Sequence, residues 1–174
     1  EPRIQYAQTD DGVSIAFSTL GKGVPFVDMP GPFSHIQIEW QNPMGRKWLE
    51  TLAQNRMVVR YDRRGSGLSE RDVTDYSLDA LVRDLEAVVG RLGLERFALL
   101  ASSFSGPVAI AYAVRHPERV SHLILWCSLS RSSDVWRSSR AQAFRAIRVT
   151  DWGLYTESIV DLWVGLRLAE EDRR

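Results

Sequence analysis

The chain has 174 residues, 44% of them hydrophobic and 25% charged, which is the composition of a globular domain able to bury one sizeable core. Its 22 Lys and Arg balance 22 Asp and Glu, so no overall positive field exists to gather nucleic acid or an anionic membrane. A single cysteine, Cys127, rules out an internal disulfide framework, no His/Asp/Glu group has metal-ligand spacing, and there is neither a basic-then-apolar leader nor an apolar run of about 18 residues.

In chain order, Ile4 to Thr9 and Val13 to Thr19 read as strands joined at Asp10-Asp11-Gly12, a strong hairpin signal. The apolar run Val24 to Met29 is a third strand after Gly21-Lys22-Gly23, and a Gly/Pro loop at Pro30 to Phe33 leads through a polar and aromatic stretch. A helix is predicted over 44–54 and a buried strand from Met57 to Tyr61. Between Leu78 and Leu92 the apolar residues recur at helical spacing until Gly93 stops them. Phe97 to Ala101, a helix over 104–115, and Val120 to Cys127 repeat the strand-helix-strand pattern. Cys127 is expected to be a small buried hydrophobe of that last strand.

Such alternation predicts an α/β fold with a mostly parallel sheet and helices on both faces. Its chemistry belongs at the carboxyl ends of the strands, so the loops after Met29, Tyr61 and Ala101 should converge on one rim. Beyond Ser128 two amphipathic segments follow, over 134–148 and 155–168, with no strand between them. They read as a helical excursion over that rim, or as a pair of ordinary packed helices whose arginines are solvated.

Residues 99–110 carry the strongest chemical signal. A buried strand breaks at Ser102-Ser103 and restarts as a helix, leaving one hydroxyl at the tip of a sharp turn. Ala101 and Ser105, two positions either side of Ser103, are small as such an elbow requires. Ser103 is either a nucleophile or, with Ser102, a helix cap. Asp62 and Arg63 brace their loop or touch substrate, and Glu39 and Trp40 are pocket or helix-packing residues. Of the three histidines, His116 lies about 18 Å along a helix from Ser103 at 1.5 Å per residue. His122 opens a strand at the opposite edge, and His35 sits in the rim loop.

Three motifs in order, Asp62-Arg63-Arg64-Gly65-Ser66-Gly67-Leu68-Ser69, Ala101-Ser102-Ser103-Phe104-Ser105-Gly106 and His116-Pro117-Glu118-Arg119-Val120, resemble the alpha/beta-hydrolase superfamily. The likeness runs from about Ile4 to Cys127. It implies an alpha/beta-hydrolase fold, incomplete at its C-terminal side, with residues 1–130 as the N-terminal part of the core and 131–174 as the first helices of a lid. More narrowly, Pro30-Gly31-Pro32-Phe33-Ser34-His35 followed by Glu39-Trp40, together with Arg60-Tyr61-Asp62-Arg63-Arg64-Gly65-Ser66-Gly67, resembles hydrolase-like domains fused in bacteria to nucleotide-cyclase or helix-turn-helix regulators.

The resemblance implies Ser103 as nucleophile and the Phe104 N–H as one oxyanion donor. The second donor would come from the position of Pro32, which has no N–H, unless a shift of one residue brings in Phe33. It further implies a pocket lined by Gly31, His35, Trp136, Phe144, Tyr155 and Trp163. The family's acid and histidine follow the lid and are expected outside these residues, as are the strands that would cover the edge ending at Cys127, unless a second chain covers it. The expected activity is that of an esterase or thioesterase on a mainly apolar acyl substrate. The alternatives are a non-catalytic small-molecule sensing domain and a purely structural module. A cytoplasmic protein is expected, with no cofactor, no metal, no nucleic acid and no membrane, its partner being a small apolar ester or ligand.

Overall fold

The computed structural model describes residues 1–31, 34–131, 133 and 139–163. Strands β1 (Ile4–Gln8) and β2 (Ser14–Leu20) pair antiparallel with Tyr6 opposite Ala16. Their turn is closed by Thr9, whose backbone N–H donates to the Val13 carbonyl at 3.0 Å while its hydroxyl accepts from the Val13 N–H at 2.8 Å. Gly12 takes φ +86° there, a conformation that favours glycine.

Strand β3 (Val24–Asp28) is followed by helices α1 (Ile36–Gln41) and α2 (Pro43–Leu52), and then by β4 (Arg56–Tyr61). Helix α3 (Leu78–Arg91), strand β5 (Phe97–Ser102), helix α4 (Gly106–Arg115) and strand β6 (Val120–Trp126) complete the sheet and its cover. The sheet order is β1-β2-β4-β3-β5-β6. Strands β3, β4, β5 and β6 run parallel, and β2 joins β4 antiparallel.

This order decides where chemistry can occur. The chain leaves β3 toward β4 on one side and leaves β5 toward β6 on the other. The two connections diverge, and a crevice opens between the carboxyl ends of β3 and β5. Burial on both faces explains the near-continuous apolar strands. Val27, Val59 and Leu99 pack under α3 and α4, whereas their neighbours Phe26, Val58 and Leu100 form a second cluster with Leu49 of α2.

Helix boundaries follow from their caps. The Ser77 hydroxyl accepts from the Ala80 N–H at 3.2 Å to start α3, and beyond its end Gly93 turns left-handed at φ +62°. Asn42 accepts from the N–H groups of Met44 and Gly45 to start α2, with Pro43 in its first turn. Helix α1 falls within the stretch read from sequence only as polar and aromatic. It begins at an N-cap, His35, whose Nδ1 accepts from the Ile38 N–H at 3.3 Å.

Two expectations are corrected. The helix predicted over 104–115 opens as a 3-10 turn, Ser103–Ser105, and becomes α-helical at Gly106. Cys127 is exposed and lies past the end of β6, at φ +47°, not buried in the strand. The reason is that β6 is an edge: among the described residues it pairs with β5 alone, and Leu123 and Trp126 are 38% and 63% exposed.

By its contacts the chain divides into two compact units, Glu1–Ser130 and Arg131–Arg174. In the second unit α5 (Ser139–Thr150) and α6 (Trp152–Trp163) meet at Asp151, whose carboxylate accepts from the Leu154 N–H at 2.9 Å and caps α6. The Trp152 and Tyr155 rings pack with centroids 5.4 Å apart.

Candidate active site

Strand β5 delivers Ser102 in extended conformation, φ −119° and ψ 148°, and the next residue, Ser103, turns to φ +52°. A non-glycine residue there costs about 1–2 kcal/mol and persists only where its surroundings over-determine it. The surroundings do so on two sides. The Ser105 hydroxyl donates to the Ser102 carbonyl at 2.7 Å and accepts from the Ser102 N–H at 3.0 Å, which locks the turn. From the far side the Ser128 hydroxyl donates to the Ser103 carbonyl at 3.0 Å. That approach requires Gly106, where a Cβ would stand 1.9 Å from Ser128 Oγ and 2.6 Å from the Leu129 carbonyl oxygen. Ser105 thus does more than stay small: its hydroxyl closes the elbow.

The loops after β3, β4 and β5 do converge. Met29 and Pro30, Tyr61 and Arg63, and Phe104 and Ser105 line one small cavity, floored by Leu81 of α3 and Val108 of α4. Asp62 holds the middle loop by bracing, with no exposure to solvent: its carboxylate accepts from the N–H groups of Ile36 at 3.0 Å and Leu68 at 2.9 Å. Burial pushes that carboxyl above the usual carboxylate range, against the pull of these two N–H donors. Gly67 must remain bare, because a Cβ there would lie 2.1 Å from Asp62 Oδ2.

Beneath the loop, Arg64 is 1% exposed and donates from Nε to Asp84 at 2.8 Å and from Nη1 to Asp11 at 2.8 Å. Burial works against its charge and is outweighed by these two carboxylates, so its proton is held more tightly than in a free arginine. A second arginine, Arg60, pairs through Nε with Asp28 at 3.1 Å and through Nη2 with Glu39. Neither network was identified in the sequence. The available signal was an arginine, Arg60, next to last in an apolar strand, and an aspartate, Asp84, inside the apolar stripe of α3.

Of the residues singled out from sequence, Ser103 and Phe104 stand at the elbow, and Gly31 and His35 lie in the loop after β3. His35 uses Nδ1 to cap α1. Glu39 binds Arg60, and Trp40 packs against the second apolar cluster. His116 caps the far end of α4, with Nε2 3.0 Å from Glu86, and His122 lies within β6 beside Ser121. Phe144 and Tyr155 belong to α5 and α6, and Trp163 ends α6. Pro32, Phe33 and Trp136 lie outside the described residues. Among the described residues no three His, Cys, Asp or Glu side chains are grouped to hold a metal ion, and no helix is long and apolar enough to cross a membrane.

A family model described as alpha/beta hydrolase fold matches residues 35–148. The chain belongs to the alpha/beta hydrolase fold family. It is 34% identical over 115 residues to the 2-hydroxymuconate semialdehyde hydrolase of Pseudomonas sp. (strain CF600), a match covering 66% of this chain and 40% of that protein. It is 26% identical over 115 residues to the soluble epoxide hydrolase of Corynebacterium sp. (strain C12), covering 66% of this chain and 38% of that one. Among solved structures, a hydrolase from Pseudomonas aeruginosa PA01 superposes with a TM-score of 0.66 at 25% identity, over 84% of this chain and 52% of that one. This alpha/beta hydrolase chain therefore spans between 30% and 41% of the length of curated relatives it matches.

Proposed function

We propose that the protein is a serine hydrolase that cleaves an ester or thioester of a mainly apolar acyl group, with Ser103 as its nucleophile. The observation that carries this reading is the left-handed Ser103, φ +52°, held at the β5–α4 junction beside a cavity that Phe104 helps to line. Packing alone has no use for a strained hydroxyl-bearing residue at that tip. The relatives' names, all hydrolases, support hydrolysis, and their different substrates leave the acyl group to experiment.

In the proposed mechanism Ser103 Oγ loses its proton to a histidine base and bonds to the acyl carbonyl carbon. The new oxyanion is met by the Phe104 N–H. Collapse expels the alcohol or thiol, which takes the proton from the base, and water then repeats the sequence to release the acid. His35, His116 and His122 are engaged or remote, so the base and its orienting acid are assigned to positions after the lid, as in the family's chain order. In this reading residues 1–130 are the N-terminal part of the hydrolase core and 131–174 the first helices of a lid, a segment whose part in such enzymes is to exclude water from the acyl intermediate. Cytoplasmic action belongs to the same proposal.

The prolines at 30 and 32 favour a second reading, because the loop that would supply another oxyanion donor is poor in N–H groups. In it the fold is a non-catalytic small-molecule sensing domain joined to a cyclase or helix-turn-helix regulator. One experiment decides between them. The full-length protein and its Ser103→Ala variant are treated with a fluorophosphonate probe and with short-chain and long-chain acyl esters. Labelling and turnover that vanish in Ser103→Ala support the hydrolase. No labelling, together with saturable binding of an apolar ligand, supports the sensor.

A further inference from the structure

Met29 and Pro30, just after β3, share a cavity wall with Phe104 and Ser105 of the elbow, and the strand before them and the helix α1 that follows both reach one guanidinium. Asp28, the last residue of β3, is the parallel-register partner of Arg60 and accepts from its Nε at 3.1 Å. Glu39, in α1, accepts from Nη2 of the same arginine, and with its other oxygen accepts from the His35 N–H at 3.0 Å. We infer that Arg60 is the positioning residue of the loop between β3 and α1: forked between Asp28 and Glu39, it sets where Met29 and Pro30 stand against Phe104 and Ser105 in the cavity wall.

Three features favour this over an ordinary ion pair. The Arg60 side chain is 13% exposed, so the pairs are screened far less than surface ones. A planar fork is needed because the two carboxylates come from different elements, and a lysine ammonium would lack the same two-directional geometry. Two carboxylates share one cation, so removing it leaves like charges near each other at the two ends of that loop, and the clamp becomes a wedge. Burial already pushes Asp28 above the usual carboxylate range, with Arg60 opposing.

As a statement about catalysis the inference rests on the serine-hydrolase reading, and the experiment separates the two. In the full-length protein, 4-nitrophenyl butyrate turnover and fluorophosphonate labelling are measured for wild type, Arg60→Met, Arg60→Lys and Glu39→Ala. Hydrogen exchange of amides 29–31 and 34–39 is followed in the same proteins. Arg60→Met is expected to lower kcat at least tenfold with KM within twofold, to slow labelling by a similar factor, and to speed exchange at those amides with α3 unchanged. Glu39→Ala, which removes a half-exposed group and keeps Asp28 paired, is expected to show a smaller loss of the same kind. Arg60→Lys is expected to recover part of it. Unchanged kcat and exchange in a folded Arg60→Met or Glu39→Ala protein overturns the inference. If wild type itself neither turns over nor labels, the serine reading has failed, and exchange at 29–31 and 34–39 alone decides the clamp.

Discussion

The Ser128 hydroxyl donates to the Ser103 carbonyl oxygen at 3.0 Å across 25 residues of sequence, so the segment leaving β6 braces the strained elbow from behind. A neutral hydrogen bond of this kind contributes about 1 kcal/mol net. Ser128→Ala is expected to lower unfolding stability by about that amount in denaturant melts, and to slow fluorophosphonate labelling of Ser103. Labelling at the wild-type rate would show that the elbow stands without this brace.

The left-handed φ of Ser103 predicts opposite effects on stability and activity. Glycine adopts φ near +52° without a Cβ penalty, so Ser103→Gly is expected to gain about 1 kcal/mol of stability while abolishing labelling and turnover. Ser103→Val should lose stability. A melt in which Ser103→Gly is less stable than Ser103→Val would mean that the elbow is not strained.

At Gly106 an added methyl meets Ser128 Oγ at 1.9 Å and the Leu129 carbonyl at 2.6 Å. Gly106→Ala is expected to cost about 1–3 kcal/mol. Pairing it with Ser128→Gly should restore only part of that, because the Leu129 carbonyl is backbone and stays in place.

Removing one partner of a buried ion pair costs about 3–5 kcal/mol, because it strands the other charge. Asp84 and the Arg64 side chain are 0% and 1% exposed, and because Arg64 keeps its pair with Asp11, Asp84→Ala is expected at the low end of that range. The double variant Asp84→Leu with Arg64→Met should lose less than Asp84→Ala alone, as guanidinium denaturation of the two proteins would reveal.

Asp11, on the outer side of that arginine, is held well below the usual carboxylate range, chiefly by its hydrogen bond to Arg64. A depressed carboxylate stabilises the fold fully above its unfolded value near 3.9, and that contribution fades as pH drops toward the lower folded value. The destabilisation caused by Asp11→Asn is therefore expected to be equal at pH 7 and pH 5 and to shrink below about pH 4. Thermal melts across that range check the sign.

Local chemistry in the sequence determined the kinds of element this chain forms. Apolar runs such as Phe97 to Ala101, the stripe of α3 and the small residues around Ser103 each specify a strand, a helix or a tight elbow through contacts within a few residues. Helix α1 escaped because its six residues are too few to display a period and its cap is a histidine. The fate of Cys127 depended on β6 being an edge, which is a property of the whole sheet. Tertiary structure alone decided that β3 lies between β4 and β5, that Arg60 faces Asp28 and Glu39, and that Ser128 reaches Ser103. Each of these joins residues far apart in the chain. Strand periodicity dictates which face a side chain takes, and only the packing of complete layers determines which partner it meets there.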